Sequence, residues 1–581
     1  MKKRKLSIDI INDNVDEPLT WHDRATLADA VDDFRELRIT RRSLVNRAAV
    51  FGLSLPAFSA ILAESTANPA AAAADMHRAA QTKLRIGVSA DADTVDPQAF
   101  KDVPGYYMLA NVYDQLIDLK AHRQGDLLIA NAAQPVGMIA KSMTISKDLR
   151  TVTFKLNPNA KFQDGSPITV EDVVYTMSRG VLGTQYTNTL MKMLTLTSVK
   201  NIKTPDKQTV VFKLDKPDPM TARLLSLQVL SIQSAKVSKA HSTKKDKWAN
   251  DYWRSHVFAN GPYTLQSWTR GVGWDLEPNA NYYQRGVLKN GGLGFRVISD
   301  AQQRLGLLKS GSLDVAFDVS AQDAVALRTG GGKAKLISAP SPWNYMLVFT
   351  NTVKPFDNKQ VRQALSYAVP YDAIVKNVMH GLARPSKGII VPGMPTSDPS
   401  FWKYNTDLSK AKQMLAAAGF PNGFQTSIDV LIGAPEDQQA ATLIQANFQQ
   451  IGVTTQINLL DATQYQANFN NASSPMQMAE FFSWVDDPFY HMYWNMLSTN
   501  TFTNSARYSN PAVDKLILAG IYEANAAKRA AMSRQAQQLI VDDAPWAFLY
   551  ARDFFALVAS NLQDFPLWPD QNPRFYRTYL T

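Results

Sequence analysis

The chain has no cysteine among its 581 residues. That absence excludes disulfide bonds, thiolate zinc sites, iron–sulfur clusters and cysteine nucleophiles. The seven histidines are scattered, and no two lie within five residues of each other, so there is no His-x-x-x-His metal site. Gly-x-Ser-x-Gly and Gly-x-Gly-x-x-Gly motifs are also missing. The sequence therefore argues against an enzyme and gives no sign of a metal or cofactor.

Long apolar runs are also scarce. The run from Ala48 to Ala63 is too short and too interrupted to span a membrane. It follows the paired arginines of Thr40–Val45 and precedes the small residues Ala70–Ala74, an order typical of an export signal. Arg41-Arg42 before Ser-Leu resembles a twin-arginine signal. We expect residues 1–74 to be a leader cleaved after Ala74, leaving a periplasmic protein without a membrane span. An inert leader, or a start codon assigned too early, is the alternative.

Charge of one sign is only slightly in excess. The net charge is +10, and residues 1–74 hold equal numbers of acidic and basic side chains, so the excess belongs to the rest of the chain. No cluster of Lys and Arg with interleaved aromatic residues predicts a nucleic-acid groove. The diffuse charge is typical of a solvated basic surface, with a preference for anionic ligands as the alternative.

The stretch Thr151–Gly180 is the most informative part of the chain. Thr151–Leu156 alternates polar and apolar residues, which predicts a half-buried strand. The clusters 157–159 and 164–167 predict turns. Thr169 is placed to cap a helix that carries acidic residues in its first turn and buries Val173, Val174 and Met177. The stretch therefore predicts a strand, two turns and a capped helix.

The same stretch resembles the signature region of the family 5 extracytoplasmic solute-binding proteins, the peptide, nickel and opine receptors of ABC importers. It joins F-x-L, an x-F-x-D-G-x-P turn and a T-x-E-D-V helix start in one order. Further segments similar to the family are Asn260–Tyr263, Phe349–Ala368 and Ile451–Val453. The resemblance covers roughly residues 83–581. It implies an α/β fold with two lobes, that of a type II periplasmic binding protein of the large, cluster C-like kind.

The resemblance also implies that the lobes are discontinuous and joined by a hinge. We expect the first lobe to comprise residues 75–295 and a C-terminal return at 551–581, with the second lobe at 296–550. The crossing is predicted near Gly291–Gly294, because glycine tolerates the backbone rotations that a hinge requires.

The candidate ligand contact is the segment Trp484–Pro488. In peptide-binding relatives, a Trp followed at this distance by Asp places a carboxylate in the cleft, where it pairs with the ammonium terminus of the peptide. The segment here is shorter than the family pattern, so either Asp486 or Asp487 can be the anchor. The distance from Trp484 favours Asp486. A plain Asp-Asp-Pro turn is the alternative.

Other candidate contacts are aromatic or polar residues beside the expected cleft. The resemblance places Trp343, Asn344 and Tyr345 where the lobes face each other, and Tyr106 and Tyr107 follow the loop after the first strand. Clefts for small ligands are mostly apolar with a few polar anchors, which suits such residues. A buried helix or strand face is the alternative for each.

The function implied by the resemblance is capture without chemistry. The protein is expected to be a monomeric receptor that holds a di- or oligopeptide between closing lobes and delivers it to an inner-membrane ABC permease. The alternative ligand is a non-peptide solute such as an opine, an amine, a sugar or a metal chelate. Neither alternative involves a nucleic acid.

Overall fold

The computed structural model describes residues 82–99, 103–183, 185–328 and 332–581, so the predicted leader and its cleavage site lie outside the described residues. The strands are β1 Leu84–Val88, β2 Ile117–Gln124, β3 Leu127–Gly137, β4 Ala140–Ile145, β5 Thr151–Leu156, β6 Ile202–Asp206, β7 Thr209–Lys213, β8 Tyr263–Thr269, β9 Gly273–Pro278, β10 Leu293–Val297, β11 Val315–Ala316, β12 Ala334–Phe349, β13 Ala383–Pro385, β14 Gln425–Leu431, β15 Thr454–Leu460, β16 Met476–Phe482, β17 Trp546–Ala559, β18 Leu562–Gln563, β19 Phe565–Leu567 and β20 Tyr579–Leu580. The helices are α1 Val103–Val112, α2 Val170–Leu182, α3 Gln185–Met193, α4 Thr221–Leu225, α5 Ala235–His241, α6 Asn250–Trp253, α7 Ala301–Ser310, α8 Ala321–Ala326, α9 Lys359–Ala368, α10 Tyr371–Ala373, α11 Leu408–Ala417, α12 Pro435–Gln450, α13 Ala462–Asn471, α14 Pro488–Met496, α15 Pro511–Gly520 and α16 Ala526–Asp543.

Two long strands hold the fold together. The main sheet has the order β15-β14-β16-β12-β17-β11-β1-β10-β9-β8, with β13 paired to β17. The first half of β12 pairs with the second half of β17, which in turn pairs with β11. The second half of β12 pairs with β16. The two ends of this sheet belong to the two lobes of an α/β fold, and β12 and β17 run through both.

The pairing of β12 with β17 is interrupted at its middle. The register shifts between Ala339 and Trp343, and the intervening segment contains Pro340 and Pro342. Proline has no backbone N–H and cannot donate to a strand ladder. The Ser341 hydroxyl instead donates to the carbonyl of Arg552, at 2.7 Å. The two prolines therefore mark a break in the pairing of the two long strands.

The signature stretch has the structure that its pattern predicts. β5 buries Val152, Phe154 and Leu156 and pairs with both β4 and β7. α2 begins after Thr169, as predicted. The Asp172 carboxylate accepts hydrogen bonds from the Thr169 backbone N–H and hydroxyl, both at 2.8 Å, and from the Ala235 backbone N–H, also at 2.8 Å. Asp172 is buried, so it caps α2 and also ties the helix to the start of α5.

Replacing Asp172 with alanine is expected to lower the free energy of unfolding by about 2 kcal/mol, because three donors lose their buried acceptor. The measurement is urea unfolding followed by circular dichroism. Glu171→Ala is the matched control in the same helical turn. Its carboxylate forms an exposed ion pair with Lys239, worth at most about 1 kcal/mol. Equal losses in the two variants would contradict the capping role.

The ends of other helices agree with their sequence signals to different degrees. In the sequence, Asp300 precedes and Gly311 follows a segment with apolar residues at helical spacing, which predicts a helix between them. α7 begins after Asp300 and ends before Gly311, where φ is +83°, in agreement with that pattern. α9 ends at Ala368, two residues before Pro370. Apolar residues recur at helical spacing from Tyr106 to Leu119, which predicts a helix over that segment. That prediction is only partly correct, because α1 ends at Val112 and β2 begins at Ile117.

The predicted lobe boundary at 295–296 has no counterpart in the strand pairing. β10, which contains residues 293–297, pairs with β1 and β9. β11 follows it in the chain and also pairs with β1. The pairing therefore favours a crossing later in the chain, at β12, and the boundary at 295–296 stays a prediction.

Candidate functional site

Six side chains share one face of the sheet just beyond the two prolines. Residues opposite each other in an antiparallel pair lie on the same face, as do residues two apart along a strand. One row across β16, β12 and β17 consists of Phe482, Trp343 and Arg552. The next row consists of Glu480, Tyr345 and Tyr550. We call these six residues the hinge face.

The contacts within the hinge face are close. The Trp343 ring lies 5.2 Å from the Phe482 ring, and the Arg552 guanidinium lies 5.2 Å from the centre of the Trp343 ring. Tyr345 and Tyr550 stack with ring centres 4.8 Å apart. Nη1 of Arg552 donates to the Tyr345 hydroxyl at 3.1 Å. The face therefore presents an aromatic floor with one base and one acid at its sides.

Acidic groups gather beside this floor. Glu480 is exposed at the edge of the hinge face, and the protein that surrounds it on the other sides raises its pKa by desolvation, against the lowering effects of the Tyr345 hydroxyl and Arg552. Burial raises the pKa of Asp437, in the first turn of α12, to about 8, and the negative charge of Glu480 adds to the increase. Oδ1 of Asp437 and the Tyr550 hydroxyl are buried without a hydrogen-bond partner among the described residues. Asp437 is therefore largely neutral at pH 7.

The predicted contacts Trp484 and Tyr106 come together from distant parts of the chain. Trp484 follows β16, and Tyr106 lies on α1. Their rings meet edge to face, with centres 5.2 Å apart. Trp484 also lies 5.9 Å from Phe482, which continues the aromatic surface of the hinge face. Aromatic side chains of α1 and of the segment after β16 are thus in contact beside the hinge face.

Asp487 is fully engaged by protein groups. It caps α14, accepting from the Phe489 backbone N–H at 2.9 Å. Two guanidinium nitrogens of Arg529 donate to its two oxygens at 2.7 Å each. Arg223, on α4, lies 3.6 Å away. Only 1% of the Asp487 surface is exposed, so its carboxylate serves the fold.

Asp486 has a different environment, although it is the adjacent residue. It is half-buried, and within the described part of the chain its carboxylate forms no hydrogen bond or ion pair. Burial raises the pKa of Asp486, while the positive charge of Arg223 lowers it. Of the two aspartates, Asp486 is the one that can accept a hydrogen bond from a ligand.

The remaining predicted residues differ in their placement. Tyr107 stacks on Phe317 with ring centres 4.8 Å apart. Burial raises the pKa of its hydroxyl, Asp318 adds to the increase and Arg552 opposes it, so Tyr107 borders the hinge face. Asn344 lies on the opposite face of β12, where it is buried and donates to the carbonyl of Gly388 at 3.2 Å. Trp343, Tyr345 and Tyr107 are therefore brought together, and Asn344 is not.

Sequence reasoning missed Arg552, Glu480, Asp437 and Arg223. The sequence does contain a signal for Arg552, because Arg552-Asp553 interrupts the otherwise apolar strand from Trp546 to Ala559. Nothing in the sequence shows that Asp437 is buried or that Arg223 reaches Asp487, since both follow from contacts between segments far apart in the chain.

Two surface hollows lie away from these residues. One, of about 260 Å³, is lined by residues 385–399. The other, of about 380 Å³, lies around Arg85, Asp314 and Lys333. Neither contains a predicted site residue. Among the described residues, no three His, Asp or Glu side chains are grouped to hold a metal ion, and no helix is both long and apolar enough to cross a lipid bilayer.

Comparison with known proteins places the chain in a defined group. Residues 134–503 match the family model described as bacterial extracellular solute-binding proteins, family 5 Middle. The chain is 26% identical over 506 residues to the glutathione-binding protein GsiB of Salmonella typhimurium, covering 84% of this chain and 92% of that protein.

Solved structures show the same fold at lower identity. The periplasmic binding protein DppA from Helicobacter pylori, in complex with the peptide STSA, superposes with a TM-score of 0.76 and 21% identity, over 87% of this chain and 99% of that one. MoaA from A. tumefaciens R10, in complex with mannopinic acid, gives a TM-score of 0.74 at 22% identity, over 86% and 100% of the two chains. The fold is thus one that is found with both peptide and opine ligands.

Proposed function

Because this chain belongs to family 5 of the bacterial extracellular solute-binding proteins, we propose that it captures short peptides between its two lobes. Its role is that of the solute-binding component of an ABC importer and not that of an enzyme. The observation that carries the peptide ligand is the unpaired carboxylate of Asp486, which lies two residues after the Trp484–Tyr106 contact between the lobes. A peptide ammonium group there would gain a charge-assisted hydrogen bond in a partly dehydrated cleft.

The relatives support a peptide or a peptide-like ligand. GsiB is named for glutathione, and the superposed DppA holds the peptide STSA. A non-peptide solute is the second candidate, because the segment Trp484–Pro488 is shorter than the family pattern and MoaA holds mannopinic acid on the same fold. Native mass spectrometry of the purified protein separates the two. A series of peptide masses supports the first candidate, and one defined non-peptide mass supports the second.

The proposed mechanism is closure of the lobes about β12 and β17. The break at Pro340–Pro342 would serve as part of the hinge. The chain would cross from one lobe to the other there instead of near Gly291. Contacts between the lobes in the present state include the Trp484–Tyr106 rings and a hydrogen bond of 2.8 Å from the Ala321 backbone N–H to Glu436. Ligand would favour this state because it binds both lobes at once.

Export and delivery complete the proposal. The segment Thr40–Val45 would direct the folded protein to the periplasm by the twin-arginine route, and cleavage after Ala74 would release it. The mature protein would act as a monomer and pass its ligand to an inner-membrane permease. The route is tested by comparing cytoplasmic and periplasmic fractions of cells that carry the wild-type chain or Arg41→Lys with Arg42→Lys. Accumulation of the uncleaved variant in the cytoplasm is the expected result.

Replacing Asp486 with asparagine is expected to weaken the binding of a peptide with a free amino terminus about 10- to 100-fold, because a charge-assisted hydrogen bond is worth about 1.5–3 kcal/mol. Binding of the N-acetylated form of the same peptide should change little. Isothermal titration calorimetry measures both. Asn344→Ala is a control on the opposite face of β12. Unchanged affinity of Asp486→Asn for the free peptide would remove Asp486 from the site.

A further inference from the structure

Two buried polar groups at the hinge face have no hydrogen-bond partner among the described residues. They are Oδ1 of Asp437, in the first turn of α12, and the hydroxyl of Tyr550, on β17. Both side chains are more than nine-tenths buried, with 8% and 0% of their surface exposed. A buried polar group that is left without a hydrogen bond costs free energy. These two groups are therefore placed for a partner that comes from a ligand.

Glu480 lies beside these groups and is open to solvent. β16 is buried from Met476 to Ala479, and Glu480 is its one exposed residue, although β16 is an interior strand of the main sheet. Tyr345 pairs with Glu480 on one side and with Tyr550 on the other, so the three side chains share one face. An exposed side chain at this position shows that the hinge face is open there. A ligand can therefore reach the face beside Glu480.

The charges at this opening do not balance. Burial raises the pKa of both Asp437 and Glu480, and the positive charge of Arg552 opposes the increase. The Arg552 guanidinium donates to the Tyr345 hydroxyl, and it lies farther than 4.0 Å from either carboxyl group. Glu436 adds a third acidic group next to Asp437. One positive charge thus faces three carboxyl groups, and a second cation would favour the ionised form of Asp437.

A cation with several N–H groups would satisfy the unpaired atoms together. An ammonium group has three donors and a guanidinium has five. Either can donate to Oδ1 of Asp437, to the Glu480 carboxylate and to the Tyr550 hydroxyl. An apolar side chain would bury the same atoms without partners, and an acidic one would add to the negative charge. The arrangement therefore favours a basic group on the ligand.

Aromatic side chains enclose the same place. Tyr345 and Tyr550 form its floor, with ring planes only 12° from parallel. Tyr465, on α13, lies at its side: burial raises the pKa of Tyr465, and the negative charges of Asp437 and Glu480 add to the increase. Its hydroxyl already donates to a backbone carbonyl of β16. The apolar stem of a lysine or arginine side chain packs well on such rings while its charged end reaches polar groups.

The distance from the proposed anchor suits a side chain near the amino terminus of a peptide. Glu480 and Phe482 are two residues apart on one face, and the Phe482 ring lies 5.9 Å from that of Trp484. Glu480 is thus on the order of 12 Å from Trp484, since two residues of a strand span about 6.6–6.8 Å. Asp486 follows two residues later. An extended peptide covers about 3.3–3.6 Å per residue, so one of its first three side chains would reach Glu480.

We propose that Asp437, Glu480 and Tyr550 form an acidic pocket that binds the charged end of a lysine or arginine side chain of the peptide. This inference rests on the proposed function, because it concerns a side chain of the same ligand. The negative charge of the pocket is opposite in sign to the net charge of +10. The preference for basic peptides is therefore set by the pocket and not by the charge of the whole protein.

The test compares di- and tripeptides of alanine that carry lysine at one position with the same peptides carrying norleucine there. Norleucine keeps the aliphatic stem and lacks the ammonium group. Isothermal titration calorimetry measures both affinities for each of the three positions. At one position the wild-type protein is expected to bind the lysine peptide about 10- to 100-fold more tightly, and the arginine peptide similarly. Glu480→Gln and Asp437→Asn should each reduce that ratio.

Asp486→Asn is the matched control, because it neutralises an acid that we assign to the amino terminus. It should weaken binding of both peptides and leave their ratio unchanged. Because Glu480 is exposed, Glu480→Gln is expected to fold and can decide the matter without Asp437→Asn.

Three results would contradict the proposal. Equal affinity of the wild-type protein for lysine and norleucine at every position would overturn the acidic pocket and leave the proposed peptide ligand in place. A lysine preference that Glu480→Gln retains in full would overturn the assignment to these residues. Binding of none of the peptides would overturn the proposed function, and the acidic pocket with it.

Discussion

Replacing Arg179 with alanine is expected to lower the free energy of unfolding by about 3–5 kcal/mol, the cost of leaving one partner of a buried ion pair uncompensated. Nη1 of Arg179 donates to Asp96 at 2.6 Å and to Gln233 at 2.8 Å. Nη2 donates to the second oxygen of Asp96 and to Asn250 at 2.7 Å. Both members of the ion pair are almost fully buried. The variant therefore leaves the buried Asp96 carboxylate with the Gln98 backbone N–H but without its charged partner, and the two amide oxygens lose the donors that Arg179 supplied.

The measurement is chemical unfolding of the variant and the wild-type protein under the same conditions. Lys155→Ala is the matched control, since Lys155 and Asp206 form an ion pair in which both side chains are about half exposed, and such pairs contribute at most about 1 kcal/mol. A loss for Arg179→Ala no larger than that of the control would show that the pair adds nothing to the fold. Asp96→Asn should approach the loss of Arg179→Ala, because it removes the same charge interaction.

The Arg179–Asp96 pair gives a physical reason for two motifs that the sequence presents separately. Arg179 is at the end of the signature stretch, and Asp96 belongs to the Asp-Pro loop after β1. The ion pair holds α2 against that loop, and the Asn250 contact adds α6. The signature stretch is therefore a framework for the first lobe, and within the structure none of its side chains belongs to the hinge face. Mutations there should damage folding before they affect ligand binding.

Local structure was predictable where the signal lies within a few residues. The alternation of β5, the cap of α2 at Thr169 and the stop of α7 at Gly311 each depend on local backbone geometry and side-chain hydrogen bonds. The helix expected to reach Leu119 ends at Val112 instead, because Ile117 pairs with Gly137 in β3. An apolar spacing compatible with a helix was overridden there by pairing with a later strand, which a single sequence does not display.

The candidate site was predictable only in part, for the same reason. Trp484, Trp343 and Tyr106 are candidates from the sequence, and the structure connects their rings through Phe482, while their contact with a ligand stays a prediction. Arg552 and Glu480 were missed because their place on the hinge face depends on the register of three strands far apart in the chain. The choice between Asp486 and Asp487 depended on Arg529, which lies 42 residues beyond Asp487.

Replacing Asp487 with asparagine is expected to lower the free energy of unfolding by about 3–5 kcal/mol, through loss of its charge pair with Arg529. Asparagine keeps a side-chain oxygen that can accept from the Phe489 backbone N–H, so the variant tests the ion pair and not the helix cap. Of its present hydrogen-bond acceptors, the Arg529 guanidinium would keep the Gly520 carbonyl, at 2.8 Å. Urea unfolding followed by tryptophan fluorescence measures the loss.

The adjacent Asp486→Asn is the natural control, because it makes the same chemical change one residue away. Its carboxylate has no protein partner among the described residues, so its unfolding free energy should stay within about 0.5 kcal/mol of wild type. Its peptide affinity should fall, whereas Asp487→Asn should keep the affinity at temperatures where it remains folded. Asp487 would then stabilise the fold, and Asp486 would bind the peptide. A stable Asp487→Asn with weakened peptide binding would reverse that division and make Asp487 the anchor.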